Sequence, residues 1–273
     1  MRPEPGPRVV LAHGFTQTAR SWSHFERLLA ERRAGVETVA VDLPGHGDAD
    51  VDATLDLAGS AAHLVDTGGS GVYLGYSMGG RVALHAALAF PDRVRALVLI
   101  GATAGIDDPD DRATRRTADE RLAARIEEIG VEAFLQEWLR NPLFAGLSPE
   151  AANLHDRLRN TAEGLAASLR STGTGTQQPL WDRLAEIDIP VLVLAGEHDA
   201  KFRALGERLA ATIPSATFVV VPDAGHTVHL EQPVTTADIV ADWLAAFARG
   251  QTPDEPNSVD AYPIHGVRQG SDP

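Results

Sequence analysis

The 273-residue chain contains no cysteine. Disulfides, thiolate metal ligands and cysteine nucleophiles are therefore excluded, and a reducing compartment is permitted. No spacing of histidines and acids reads as a metal site, and no internal repeat is visible. Apolar runs stay shorter than a membrane span. The N-terminal stretch MRPEPGPRVVLAHG carries one early arginine and too short an apolar segment for a signal peptide, so a cytoplasmic protein is expected. Positive charge is scarce: 24 Lys and Arg stand against 38 Asp and Glu, a formal net charge of -14, and Lys201 is the only lysine. A surface of that sign repels nucleic acid and anionic membranes, so a bound anion has to be held by local arginines.

What is present is enough apolar material, 44% of residues, for one large α/β domain. Six short β-branched runs, 8–14, 37–45, 72–77, 95–102, 190–197 and 216–226, each end in glycine or a polar turn and read as buried parallel strands. Helical patterns such as SWSHFERLLAERR, GGRVALHAALAF and RALGERLAATI lie between them. This alternation predicts a doubly wound, mostly parallel sheet flanked by helices, with function at the C-terminal strand ends. Residues 103–178 interrupt it with helical segments and no strand, which predicts a helical lid. The core then comprises 1–102 and 179–249, and the proline-rich, acidic stretch 250–273 reads as a disordered tail.

GYSMG at 75–79 fits the G-x-S-x-G elbow, in which a strained strand-to-helix turn projects a serine hydroxyl above the sheet. Ser77 needs an imidazole to activate it and a carboxylate to orient that imidazole. Asp199 follows the fifth strand, with Glu197 as rival acid and a helix N-cap as its plainer role. His226 follows the sixth strand, with His198 and His229 as rivals. Ser77, Asp199 and His226 stand in the chain order of α/β-hydrolases. HGF at 13–15 would add an oxyanion hole from the backbone N–H groups of Phe15 and Met78. DLPGHG at 42–47 reads as a structural turn that could bring His46 towards the pocket. Arg81, four residues after Ser77, shares the serine's face of the helix and points to an anionic substrate, with a structural ion pair as the alternative.

With HGF, DLPGHG, GYSMGG, GEHD and AGH in order, residues 8–248 resemble the α/β-hydrolase superfamily. GYSMGGRVAL followed by GEHDAKFRAL is similar to the 2-succinyl-6-hydroxy-2,4-cyclohexadiene-1-carboxylate synthase (MenH) family of menaquinone biosynthesis. That resemblance implies a lyase that eliminates pyruvate from 2-succinyl-5-enolpyruvyl-6-hydroxy-3-cyclohexene-1-carboxylate. A small polycarboxylate substrate and no cofactor are implied. The resemblance also implies substrate-binding roles for Tyr76, Arg81, Arg115, Trp138 and Arg159. Arg112, Arg116 and Arg121 compete with Arg115, and Phe144 is either pocket wall or lid core. The alternative reading is a serine hydrolase of carboxylic esters or C–C bonds. A non-catalytic ligand receptor on the same fold is the remaining alternative.

Overall fold

Each of the six apolar runs becomes a strand of one parallel sheet in the computed structural model, which describes residues 7–50 and 56–250. The strands are β1 (Arg8–Ala12), β2 (Glu37–Val41), β3 (Gly71–Tyr76), β4 (Val94–Ile100), β5 (Val191–Gly196) and β6 (Ala216–Val221). Their spatial order is β2-β1-β3-β4-β5-β6, and every pairing is parallel. β3 and β5 are buried along their whole length, which is why they read as unbroken apolar runs rather than alternating ones.

The helices outside the insertion cover both faces. They are α1 (Ser23–Arg32), α2 (Leu57–Gly68) and α3 (Met78–Ala89) before it. Between β4 and β5 lie α4 (Pro109–Trp138), α5 (Pro149–Ala152), α6 (Leu154–Arg157) and α7 (Ala162–Thr172). After it come α8 (Ala200–Thr212), α9 (Val228–Glu231) and α10 (Pro233–Ala248). Successive strand residues feed opposite cores. Val10, Tyr73, Leu97 and Val193 pack under α2, α3 and α8. Val9, Leu74, Val98 and Leu194 pack under α1 and α10. No described helix is long and apolar enough to cross a membrane. The expected tail lies, beyond Gly250, outside the described residues.

α3 approaches the sheet closely through Gly79 and Gly80 in its first turn. A Cβ on Gly79 would lie 2.1 Å from the carbonyl oxygen of Ala12, and one on Gly75 would lie 2.3 Å from that of Gly79. Both neighbours are backbone and cannot swing aside. Gly79→Ala is therefore expected to cost roughly 1–3 kcal/mol and to lower the calorimetric melting temperature by several degrees. An unchanged midpoint would mean that α3 has room to slide outward.

The insertion departs from long, simple helices in two places. α4 bends at Gly130, whose φ of 77° lies outside the helical region. Residues 149–170, which read as one helical run, are cut by Asn153 in a left-handed conformation (φ 46°, ψ 59°) and again before Thr161, which caps α7. Ala123, Ile126, Phe134, Leu165 and Leu169 form a separate small core between α4 and α7, and Phe15 and Trp138 pack against it. A buried polar network ties the insertion to the loop after β1: Thr18 Oγ1 donates to Asp156 (2.7 Å), and Asn160 Nδ2 donates to the Thr16 carbonyl (2.8 Å).

Candidate active site

Ser77 occupies the turn between β3 and α3 with φ 51° and ψ −105°, a conformation that costs a non-glycine residue about 1–3 kcal/mol. Its side chain makes no capping bond to the helix, so the hydroxyl is available above the sheet. His226 Nε2 lies 3.3 Å from Ser77 Oγ, and His226 Nδ1 lies 2.7 Å from Asp199 Oδ2. With the Nδ1 proton donated to the carboxylate, Nε2 is left as the acceptor for the serine proton. Asp199 also caps α8, its Oδ1 accepting the Phe202 N–H at 3.2 Å. One carboxylate thus fills both the orienting and the capping role. Its rival Glu197 instead accepts the Asp223 N–H at 3.0 Å. His198 is exposed, and His229 is buried against Trp22 and Tyr76.

The loop after β1 and the start of α3 converge beside this serine, and Phe15 and Met78 both line the same cavity as Ser77. Met78 opens α3, so its N–H belongs to the first turn, where helix amides lack intrahelical acceptors and the dipole favours negative charge. His46 lies under the Phe15 ring, centroids 5.8 Å apart, and is a buried support rather than a lining residue of this cavity. Gly101, at the end of β4, is a site residue that the sequence pattern did not single out. Its φ is 54°, and a Cβ there would stand 2.8 Å from His226 Cε1. The imidazole seat requires glycine.

The cavity measures about 560 Å³ and opens between the sheet and the insertion. Tyr76, Arg81, Arg115, Trp138 and Phe144 all line it. Tyr76 packs at a tilt on His226 (5.2 Å between centroids), and burial pushes its phenol pKa upward, so it is neutral. Trp138 stacks on Phe134 and meets Phe15 and Phe144, which makes Phe144 both wall and packing. Arg81 is buried, donates to the Thr172 carbonyl (2.6 Å) and forms no ion pair among the described residues. Burial, and then the charge of Arg115, pulls its pKa down to about 10, which leaves it a cation at neutral pH. Arg115 donates to Asp119 at 2.7 Å, and Asp119 also accepts the Gly175 N–H at 3.1 Å.

Arg159 is placed elsewhere. It pairs with Asp48 at 2.5 Å and approaches Asp156 at 3.7 Å, and it is not among the cavity-lining residues. Two residues earlier, Arg157 is buried, bonded to Thr16 Oγ1 and to the Ala152 carbonyl (2.7 Å). Arg157 ends α6 and Arg159 lies in the turn that follows it, so an arginine turned to Asp48 and one turned into the buried network stand close in sequence. Asp48 holds this half-buried guanidinium outside the cavity lining. Lys201 and Phe202, beside Asp199, line the cavity as well.

Three buried histidines surround the site. Desolvation lowers the pKa of His13 to about 4 and those of His46 and His229 to about 3. Each is neutral when folded yet titrates near 6.5 when unfolded, so the unfolded chain binds more protons below that value. Their contribution to stability is complete above about pH 6.5 and is lost as the pH falls towards 4, at about 1.4 kcal/mol per pH unit for each. Denaturant titrations should show His46→Gln flattening this slope by close to one proton between pH 6 and 5. Parallel slopes in variant and wild type would contradict it.

A family model described as the alpha/beta hydrolase family matches residues 9–239. A 2-succinyl-6-hydroxy-2,4-cyclohexadiene-1-carboxylate synthase of Salmonella newport is 34% identical over 88% of this chain and 95% of its own. A Bacillus subtilis protein provisionally given the same name is 37% identical over 90% and 93%. The solved structure of MenH from S. aureus superposes with a TM-score of 0.81 at 29% identity, covering 89% of this chain and 95% of the other. With its parallel sheet, serine elbow and Ser77–His226–Asp199 geometry, the chain belongs to the alpha/beta hydrolase family.

Proposed function

We infer that this protein is a carbon–oxygen lyase of menaquinone biosynthesis. It converts 2-succinyl-5-enolpyruvyl-6-hydroxy-3-cyclohexene-1-carboxylate into 2-succinyl-6-hydroxy-2,4-cyclohexadiene-1-carboxylate with release of pyruvate. The relatives named above support the reaction. Within this chain the observation that carries it is Arg81, a buried cation that forms no ion pair among the described residues and opens onto the same cavity as Ser77. A buried unpaired guanidinium is costly unless an anion completes it, and its planar fork matches a carboxylate. A neutral ester would leave that cost in place.

The chemistry follows from the triad. His226, oriented by Asp199, takes the Ser77 proton, and the serine oxygen removes the ring proton beside the succinyl carbonyl. The Phe15 and Met78 amides stabilise the enolate oxygen that develops. Electrons shift through the ring alkene and break the bond to the enolpyruvyl oxygen. The departing enolate gains a proton at carbon to become pyruvate. No acyl-enzyme forms, so the hydroxyl acts as a base. The cavity's aromatic walls exclude water, and the arginines hold the carboxylates so that the reacting carbon meets the serine.

The test is a coupled assay in which the enolpyruvyl substrate is generated enzymatically in situ and pyruvate release is followed. Release well above the spontaneous background is expected. Background release alone, with burst hydrolysis of a p-nitrophenyl ester, would assign Ser77 the role of a hydrolase nucleophile.

A further inference from the structure

The cations of the cavity fall into two groups. Arg81 on α3 and Arg115 on α4 are neighbours, each within the field of the other, and Asp119 joins them. Lys201 stands apart at the start of α8, two residues after Asp199. Its ammonium rests 5.5 Å from the centroid of Phe202, whose ring lies 4.3 Å from that of His226. Among the described residues it has no ion-pair partner, although the chain carries 38 acids. The only lysine of the sequence therefore lines the cavity on the His226 side, unpaired and exposed.

We propose that Lys201 binds the carboxylate of the departing enolpyruvyl group. The proposal rests on the lyase reading. The substrate carries three carboxylates, and the arginine pair can neutralise those at one end only. Arg115 is already paired with Asp119, so that end has little more than one free positive charge. The leaving oxygen develops negative charge while His226 holds the abstracted proton, and the imidazolium is the acid nearest to it. Seating the leaving group towards His226 brings its carboxylate to the Lys201 side. A flexible, hydrated ammonium suits this task, because the same contact must release pyruvate once the bond is broken. Lys201 is then a specificity-determining residue for the anionic leaving group and has no part in proton transfer.

Two measurements test this together. In the pyruvate-release assay, Lys201→Met is expected to raise KM about tenfold or more, with kcat changed much less, and Lys201→Arg to stay within a few-fold of wild type. In the second, acetylation of the Lys201 peptide by a water-soluble N-hydroxysuccinimide ester is read by mass spectrometry; no other lysine competes. The enolpyruvyl mimic 2-methoxyacrylate should slow this acetylation, whereas its neutral methyl ester and succinate should not. Unchanged kinetics in Lys201→Met, or protection by succinate but not by 2-methoxyacrylate, would overturn the proposal. A wild type that releases no pyruvate above background would instead remove the lyase reading and this proposal with it.

Discussion

Replacing Ser77 by alanine is expected to reduce pyruvate release by roughly 10²–10⁴-fold while leaving KM close to its wild-type value. The hydroxyl lies at the meeting point of the cavity and His226, 3.3 Å from Nε2, and no other described hydroxyl bonds to that imidazole. Removing it deletes the base but leaves Arg81, Arg115 and the aromatic walls that bind the ground state. The folded state should tolerate the change, because Ser77 makes no capping bond and alanine relieves none of the turn's packing constraints. His226→Ala should cost a similar factor, since the serine alone is too weak a base. The double variant should be scarcely worse than either single one, because the two residues act as one proton-transfer unit. Steady-state kinetics of the three variants decide the point. Additive losses would mean that His226 acts on the substrate independently of Ser77. Full retention of activity in Ser77→Ala would locate the base elsewhere.

The sheet was legible because burial on both faces forces near-continuous β-branched runs, and all six such runs became strands. Asp199 and His226 were legible for a related reason. In a parallel sheet the residues just past the C-terminal strand ends gather at one edge, so loop position and chain order stand in for three-dimensional proximity. The insertion lacks that frame. Its helices carry arginines on several faces, and helical spacing alone cannot say which face meets the cavity. Arg115 turns towards it, Arg159 turns to Asp48, and Arg157 is drawn into the polar network of Thr16 and Asp156. The left-handed Asn153 resets the helical phase just upstream, which defeats a periodicity count across residues 149–170. Gly101 and Lys201 were not read as site residues for a different reason. Their places at the site depend on contacts from elements distant in sequence, a histidine from beyond β6 in one case and a cavity formed with the insertion in the other.

Arg81→Ala is the second large loss to expect, and its form differs from that of Ser77→Ala. The guanidinium is buried and opens onto the substrate cavity, so its removal takes away a positive charge held in a low-dielectric wall rather than one screened by water. Truncating one partner of a buried charge pair costs about 2–5 kcal/mol, which corresponds to roughly 30- to several-thousand-fold in kcat/KM. Most of that loss should appear in KM, because the carboxylate is already charged in the ground state and stays charged in the transition state. Arg81→Lys should recover only part of it. A lysine ammonium cannot donate to the Thr172 carbonyl and grip a carboxylate through two parallel bonds at the same time. Turnover of a neutral p-nitrophenyl ester provides the contrast, since it uses the triad without the anion site. Residual ester hydrolysis should therefore survive in Arg81→Ala while pyruvate release collapses. Equal loss of both would assign Arg81 to holding α3 against α7 through Thr172, and unchanged pyruvate release would place the substrate carboxylates elsewhere.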